Sequence, residues 1–378
     1  MNETWWVKQS DLDDKQLAIL VEPPESELLI LGPPGSGKTN LLLLRANYVR
    51  HVGPKTLFLT FTRTLAEFLR SGASVGRADQ IQPGDIKTFM GWAGEVIWSN
   101  GGEAPEKGSD FEETRLNTIA ALEKVVQERG LRDLYDFAFV DEVQDLRTRE
   151  LDLIRRLASR MNTAGDSRQR IFNHREGLVA ASALTSKTVT LEKHYRIGLK
   201  ICQFADRILP PSEGTMPLTD GCNYAEEVRS SSVDAVKGAS AADTYEECLA
   251  RLKEQIRYIV DEPIGVLAPS RSVRDAFWDA LRNDGELNAI AMRQQENNYQ
   301  AFGADSRIRV MTVHSSKGSE FRAVHLLEAE AYKQGNRELA FTAVTRAKTE
   351  VMLYHVAPLA NHMVPPSGAL PTNLDSLF

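Results

Sequence analysis

The most constraining stretch of this chain is Gly32-Pro33-Pro34-Gly35-Ser36-Gly37-Lys38-Thr39, which satisfies every fixed position of the pattern G-x-x-x-x-G-K-[ST]. The apolar run Leu28-Leu29-Ile30-Leu31 precedes it, and the helical stretch Thr39-Asn40-Leu41-Leu42-Leu43-Leu44-Arg45-Ala46 follows. The glycines therefore fall in a turn between a strand and a helix. In that setting they let backbone N–H groups at the helix N-terminus turn toward phosphates. Lys38 then reaches the β- and γ-phosphates, and the Thr39 hydroxyl can ligate Mg2+.

Strands and helices continue to alternate. Thr56-Leu57-Phe58-Leu59-Thr60-Phe61 precedes the helical Leu65 to Leu69, and Phe137-Ala138-Phe139-Val140 precedes the helical Leu151 to Leu157. Alternation of this kind predicts an α/β fold with a parallel, covered sheet. It starts afresh with Ile264 to Ala268, a helix from Val273 to Leu281, and strands at Ile308 to Val313, Ala323 to Leu327 and Val351 to His355. Two domains follow, 1–190 and 191–378, in agreement with a length of 378 residues. The stretch from about 211 to 260 opens rich in Pro, Ser, Gly, Ala and Asp, and is expected to be a connecting or inserted segment.

A phosphate loop needs catalytic carboxylates at the end of another strand, and Phe139-Val140-Asp141-Glu142 supplies them. Asp141 is suited to hold Mg2+, and Glu142 to polarise an attacking water as general base. A net charge of −7 excludes a polybasic mode of nucleic-acid binding while leaving room for a local basic groove. Arg155, Arg156, Arg160, Arg168, Arg170 and Arg175 could form a phosphate-binding strip, or the first three could be a solvated helix face. Cys202, Cys222 and Cys248 show no zinc or disulfide spacing and read as inert thiols. No apolar stretch is long enough to span a bilayer and the N-terminus lacks a basic region followed by an apolar one, so no membrane partner and a cytoplasmic location are expected.

Asp141-Glu142-Val143-Gln144-Asp145 resembles the Asp-Glu-x-Gln-Asp motif of the UvrD/Rep-type superfamily 1 DNA helicases. Further segments resemble that family's motifs in its order. Leu12 to Gln16 is similar to the adenine-reading segment, which makes Gln16 the base contact. Thr60-Phe61-Thr62-Arg63 and Thr88-Phe89-Met90-Gly91-Trp92-Ala93 resemble two segments that touch single-stranded DNA. Gly165 to Phe172 resembles motif III, with Gln169 sensing the γ-phosphate and Phe172 and His174 near the strand. Leu191 to Arg196 resembles motif IV, in which Tyr195 stacks on adenine and Arg196 contacts the γ-phosphate. Met311 to Phe321, with Thr312 and His314 toward DNA and Gly318 and Glu320 toward nucleotide, resembles motif V. Ala340 to Lys348 resembles motif VI, with Arg346 as arginine finger.

The resemblance implies two RecA-like P-loop NTPase domains, ATP with Mg2+ as ligands, and an ATP-dependent helicase or translocase. It further implies 3′-to-5′ movement on single-stranded or tailed duplex DNA, driven by closure of a cleft on ATP. The chain departs from the family at His174, where an aromatic is usual, and at Met90, where histidine is usual. It also leaves room only for a small helical insertion at about 94–134 and none for the larger accessory subdomain of the second domain. Translocation is accordingly better supported than autonomous unwinding. An RNA-directed helicase, or an ATPase switch subunit serving a nuclease or a repair or phage-defence partner, are the alternatives.

Overall fold

The computed structural model describes residues 12–73, 80–169, 176–212, 215–294, 302–303 and 305–366. They fall into two compact units, Met1–Lys193 and His194–Phe378. The first unit comprises α1 (Asp14–Leu20), β1 (Leu28–Leu31), α2 (Lys38–Val49), β2 (Thr56–Thr60), α3 (Arg63–Ala73), β3 (Ile86–Thr88), α4 (Phe89–Ser99), α5 (Phe111–Glu128), β4 (Tyr135–Val140), α6 (Thr148–Leu157), β5 (Ala158–Gly165), α7 (Gly177–Leu184) and β6 (Lys187–Thr190). Its sheet has the order β3-β2-β4-β5-β1-β6 and every pairing is parallel.

Both faces of this sheet are covered, which is why β1, β2 and the latter part of β4 are nearly continuous apolar runs. On one face Leu41, Leu42 and Leu43 of α2 join a core with Phe58, Phe137 and Phe139. On the other, Trp92 of α4, Ile119 and Leu122 of α5, and Leu151 and Ile154 of α6 pack with Leu57, Ala138 and Val140. Each such side chain contributes about 1.5–3 kcal/mol on full burial. The helical insertion expected at 94–134 thus forms part of a covering layer, because α5 buries its apolar stripe in the same core as the strands.

The central strand β5 is invisible in the sequence, since Ala158-Ser159-Arg160-Met161-Asn162-Thr163-Ala164-Gly165 has no apolar run. Two of its buried polar side-chain atoms find partners far off in sequence: Arg45 Nε donates to Asn162 Oδ1 at 3.0 Å, and Thr163 Oγ1 to the Leu28 carbonyl at 3.4 Å. Arg45 is itself fully buried and donates to the carbonyls of Glu22, Pro23 and Ser26, pinning the loop that leads into β1. The position of β5 also corrects the proposed arginine strip. Arg155, Arg156 and Arg160 lie around its N-terminal end and Arg168 beyond its C-terminal end, a strand of roughly 26 Å apart. Arg155 donates to the Ala158 carbonyl and Arg160 lies over the Phe137 ring. Arg170 and Arg175 fall outside the described residues.

The second unit comprises α8 (Leu199–Ile208), β7 (Ser232–Lys237), α9 (Ala241–Tyr258), β8 (Ile264–Ala268), α10 (Arg271–Leu281), α11 (Gly285–Asn288), β9 (Ala291–Arg293), β10 (Ile308–Thr312), β11 (Phe321–Leu326), α12 (Arg337–Val344) and β12 (Ala347–His355). Its sheet, β7-β12-β11-β8-β10-β9, is also parallel throughout. Phe204, Phe321 and Phe341 centre the core on one side, and Leu252, Phe277 and Tyr354 on the other. The expectation of a connecting segment over 211–260 is corrected: β7 pairs with β12, and α9 buries Tyr245, Cys248, Leu252 and Ile256. An edge strand with polar residues at alternate positions reads as loop in composition, which explains the difference.

Candidate functional site

In a parallel sheet the C-terminal ends of all strands share one edge, and ligands gather in the crevice outside it. Adjacent strands β4, β5 and β1 end at Val140, Gly165 and Leu31, so Asp141, Asp166 and the phosphate loop meet there. Gly32, Pro33, Pro34, Gly35 and Ser36 form the turn, and Gly37 caps α2 in the left-handed region at φ 82°. A Cβ at Gly37 would also crowd Gln16 Nε2 at 3.2 Å. Gln16 is buried beside the turn: its Nε2 donates to the Ser36 carbonyl at 3.1 Å, and its Oε1 accepts the Asp13 N–H at 3.0 Å.

Lys38 Nζ donates to the Gly32 and Pro33 carbonyls at 2.9 and 2.8 Å, so its charge sits in the mouth of the turn. Thr39 Oγ1 donates to Asp141 Oδ2 at 2.7 Å. Burial and the neighbouring Glu142 charge push the Asp141 carboxyl up to about 7, against the Thr39 hydrogen bond and the Lys38 charge. A hydroxyl and a carboxylate oxygen side by side are hard donors of the kind Mg2+ takes, so the pair fits that ion.

Glu142 adopts φ 57° and ψ 40°, the left-handed region, at the start of the short turn Val143–Asp145. Gln144, buried under it, donates its Nε2 to the Glu142 carboxylate and accepts the Asp166 N–H on Oε1 at 3.1 Å. The Gln169 carbonyl is a further, longer acceptor for Gln144 at 3.5 Å, and Gln169 is itself buried. Asp166 Oδ1 accepts the Arg168 N–H at 2.8 Å, and burial raises the Asp166 carboxyl above its ordinary value. Gln144 and Asp166 were not among the sequence-derived site residues. Recognition of β5 as a strand would have marked Asp166, as the apolar run before Asp141 marked that residue.

A third structural layer braces this edge. Arg115 of α5, 1% exposed, donates to Glu150 Oε1 at 2.7 Å and to the Asp145 carbonyl at 2.7 Å, and its guanidinium lies 5.2 Å from the centre of the Phe61 ring. Gly177 opens α7 where a Cβ would meet the Val143 carbonyl at 2.1 Å, so only glycine lets that helix sit against the Asp141-to-Asp145 loop.

The expected DNA contacts divide. Arg63 and His314 are exposed, and Phe61, Thr62 and Thr88 are partly so. Thr62 and Thr88 accept the N–H groups of Leu65 and Gly91 at the starts of α3 and α4. Phe89 and Trp92 are corrected to core residues, 3% and 0% exposed, with Trp92 Nε1 donating to the Tyr135 hydroxyl at 3.2 Å. Thr312 is corrected likewise: it is buried and its hydroxyl donates to Ser315 Oγ at 3.0 Å. Phe172 and His174 lie outside the described residues.

In the second unit the residues expected to reach nucleotide gather at the starts of β11 and β12, the edge opposite the C-terminal end of β10 that carries Thr312 and His314. Arg196 Nη1 donates to both Glu320 oxygens, at 2.5 and 2.6 Å, while Tyr195 beside it is exposed. Burial works against the ionised Glu320, yet Arg196, Lys348 and Arg346 together hold its carboxyl down to about 2. Arg346 is buried, donating to the Thr342 carbonyl at 3.2 Å and the Ser319 carbonyl at 3.4 Å. Gly318, at φ 78°, turns the chain into β11. The segment 312–320 thus crosses the sheet from one edge to the other.

Two parallel, helix-covered sheets with a phosphate loop and an acidic strand end on one of them define a P-loop NTPase of two RecA-like domains. Residues 15–177 match the family model of an AAA domain, and residues 307–354 match that of the UvrD-like helicase C-terminal domain. Together the two matches indicate a UvrD-like superfamily 1 helicase. Among solved structures it is similar to the PRRSV helicase at 16% identity and a TM-score of 0.45, over 94% of this chain. It spans 58% of the length of that helicase chain. No curated protein matches it. No helix among the described residues is long and apolar enough to cross a membrane.

Proposed function

We propose that the chain is an ATP-dependent DNA helicase or translocase that moves 3′-to-5′ on single-stranded DNA, with its two units closing on ATP and opening after hydrolysis. The observation that carries this reading is the convergence of Lys38, the Thr39–Asp141 pair and Glu142 at one sheet edge of a UvrD-like chain. Lys38 and the N–H groups of the turn bind the phosphates of ATP. Thr39 and Asp141 would hold Mg2+, which supplies charge neutralisation at the phosphates when bound. Glu142, oriented by Gln144, takes the proton of the attacking water. Gln16 and Tyr195 bind the adenine.

Arg196 and Arg346 add positive charge at the γ-phosphate, an effect that reaches roughly 10³–10⁵-fold for an arginine finger. ATP that contacts both units favours the closed state by its differential affinity, and hydrolysis removes that bias. Arg63, His314 and the partly exposed Phe61, Thr62 and Thr88 are the DNA-facing candidates that remain.

The test is ATPase stimulation by single-stranded DNA compared with RNA, run beside strand displacement on duplexes with a 3′ or a 5′ tail. Stimulation by DNA with displacement from the 3′ tail is expected. Preferential stimulation by RNA overturns the DNA assignment, and displacement only from the 5′ tail overturns the polarity. A tailed duplex left intact until a nuclease or repair protein is added identifies the switch-subunit reading instead.

A further inference from the structure

Three soft donors that lie apart in sequence meet in the second unit. His194, Cys202 and Cys222 place one ring nitrogen and two sulfurs within 4.8 Å of one another, the one such group of three or more metal-ligating side chains among the described residues. His194 and Cys202 are fully buried, and Cys222 forms a partly exposed rim. The three come from separate pieces of chain. His194 makes an isolated parallel bridge to Cys222, its N–H donating to the Gly221 carbonyl at 2.9 Å and its carbonyl accepting the Asn223 N–H at 2.9 Å. Cys202 projects from the first turn of α8.

One of the spacings is that of a metal site. Zinc bound tetrahedrally at ~2.3 Å from sulfur and ~2.0–2.1 Å from nitrogen holds the two ligand atoms about 3.6 Å apart. Cys202 Sγ lies 3.7 Å from His194 Nε2. The same atoms donate hydrogen bonds here, both thiols to the Ile197 carbonyl at 3.5 and 3.4 Å and His194 Nε2–H to the Leu218 carbonyl at 2.8 Å, so a metal binds them by displacing these protons. Two thiols and an imidazole without a carboxylate form a soft set, which selects zinc over magnesium or calcium.

We propose that His194, Cys202 and Cys222 bind one Zn2+ ion, with the fourth position left to water or a backbone carbonyl. The ion ties the loop before Asn223 and the start of α8 to the residue that immediately precedes Tyr195 and Arg196. It therefore holds the backbone of that pair in place, a structural role independent of what the pair contacts.

The experiment loads Co2+ into the reduced, metal-stripped full chain and records its absorption, with zinc content of the protein as purified measured by mass spectrometry. One cobalt per chain is expected, with thiolate-to-cobalt charge transfer in the near ultraviolet and the visible bands of a tetrahedral ion. Cys202→Ser or Cys222→Ser should remove the charge-transfer band or weaken it severalfold, whereas Cys248→Ser, in a different core, should leave it unchanged. The wild-type spectrum alone decides the matter should a variant misfold. Failure of the reduced wild-type protein to take up cobalt or zinc overturns the proposal, as does a Co2+ spectrum unaltered in both cysteine variants. A Cys202–Cys222 disulfide that forms in air, in a protein that takes up neither metal once reduced, assigns the pair to redox chemistry and equally overturns it.

Discussion

Thr39 Oγ1 donates to Asp141 Oδ2 at 2.7 Å, joining the helix that follows the phosphate loop to the end of a strand 102 residues away. The bond holds in register two oxygens that would hold Mg2+. Thr39→Val keeps the shape of the side chain and removes the hydroxyl. The expected result is a rise of about 10–100-fold in the Mg2+ concentration for half-maximal ATPase, the range for lost partners of metal ligands. Thr39→Ser should stay near wild type, and a Thr39→Val protein with the wild-type Mg2+ dependence assigns the hydroxyl to its bond with Asp141 alone.

Glu142 holds a left-handed backbone at φ 57°, a conformation that costs a non-glycine residue about 1–3 kcal/mol and clusters at functional sites. Glu142→Gln leaves the backbone requirement unchanged while removing the base. ATP binding should persist and turnover should fall by about 10²–10⁴-fold. Lys38→Ala, by contrast, should lose nucleotide binding itself. Equilibrium binding of a fluorescent ATP analogue and steady-state ATPase separate the two, and wild-type turnover in Glu142→Gln removes Glu142 from the role of base.

Arg115 braces the acidic loop from a helix that sequence reasoning took for an insertion. It pairs with Glu150 at 1% and 0% exposure and also supports the Asp145 carbonyl. Arg115→Met leaves the Glu150 charge buried and unpaired, and a loss of about 3–5 kcal/mol in denaturant unfolding is expected. Replacing both, Arg115→Met with Glu150→Leu, should recover much of that loss. A single variant as stable as wild type would show that Glu150 is not buried in solution.

The legible parts of the molecule were those in which one local pattern sufficed. Strands β1 and β8 and the Phe137-to-Val140 part of β4 are apolar runs because helices cover both faces of each sheet, and the phosphate loop has fixed spacing. What escaped depends on partners far off in sequence. β5 is central yet polar because Arg45 and the Leu28 carbonyl partner its Asn162 and Thr163. Gln144 looks like one letter of a motif until β5 brings the Asp166 N–H to it. Trp92 on a helix reads more readily as core and reaches the DNA contacts only through the family resemblance, and the packing of α5 against α4 decides for core.

Arg196 and Glu320 make a pair whose pH dependence has a definite sign. Despite burial, Arg196, Lys348 and Arg346 lower the Glu320 carboxyl from an ordinary 4.5 to about 2. A depressed acid contributes stability that is complete above its unfolded pKa and is lost as pH falls through the folded one. The stability difference between wild type and Glu320→Gln should therefore be constant above about pH 5 and shrink between about pH 4.5 and 2. Thermal denaturation of both proteins across that range measures it, and a difference that grows on acidification contradicts the pairing.

Gln144 links the two acidic strand ends, donating to the Glu142 carboxylate and accepting the Asp166 N–H at 3.1 Å. It is buried beneath Glu142, so its effect passes through the orientation of that carboxylate. Gln144→Leu removes both bonds at similar volume, and Gln144→Glu retains the acceptor for Asp166 while turning the donor into a like charge. Both should lower kcat by about 10–100-fold, the usual cost of losing an orienting partner, with KM for ATP little changed. A purely packing role makes the opposite forecast: Gln144→Leu would lower stability and leave kcat per folded molecule intact. Steady-state kinetics corrected for the folded fraction distinguishes the two, and an unchanged kcat in Gln144→Glu would detach Gln144 from the hydrolytic step.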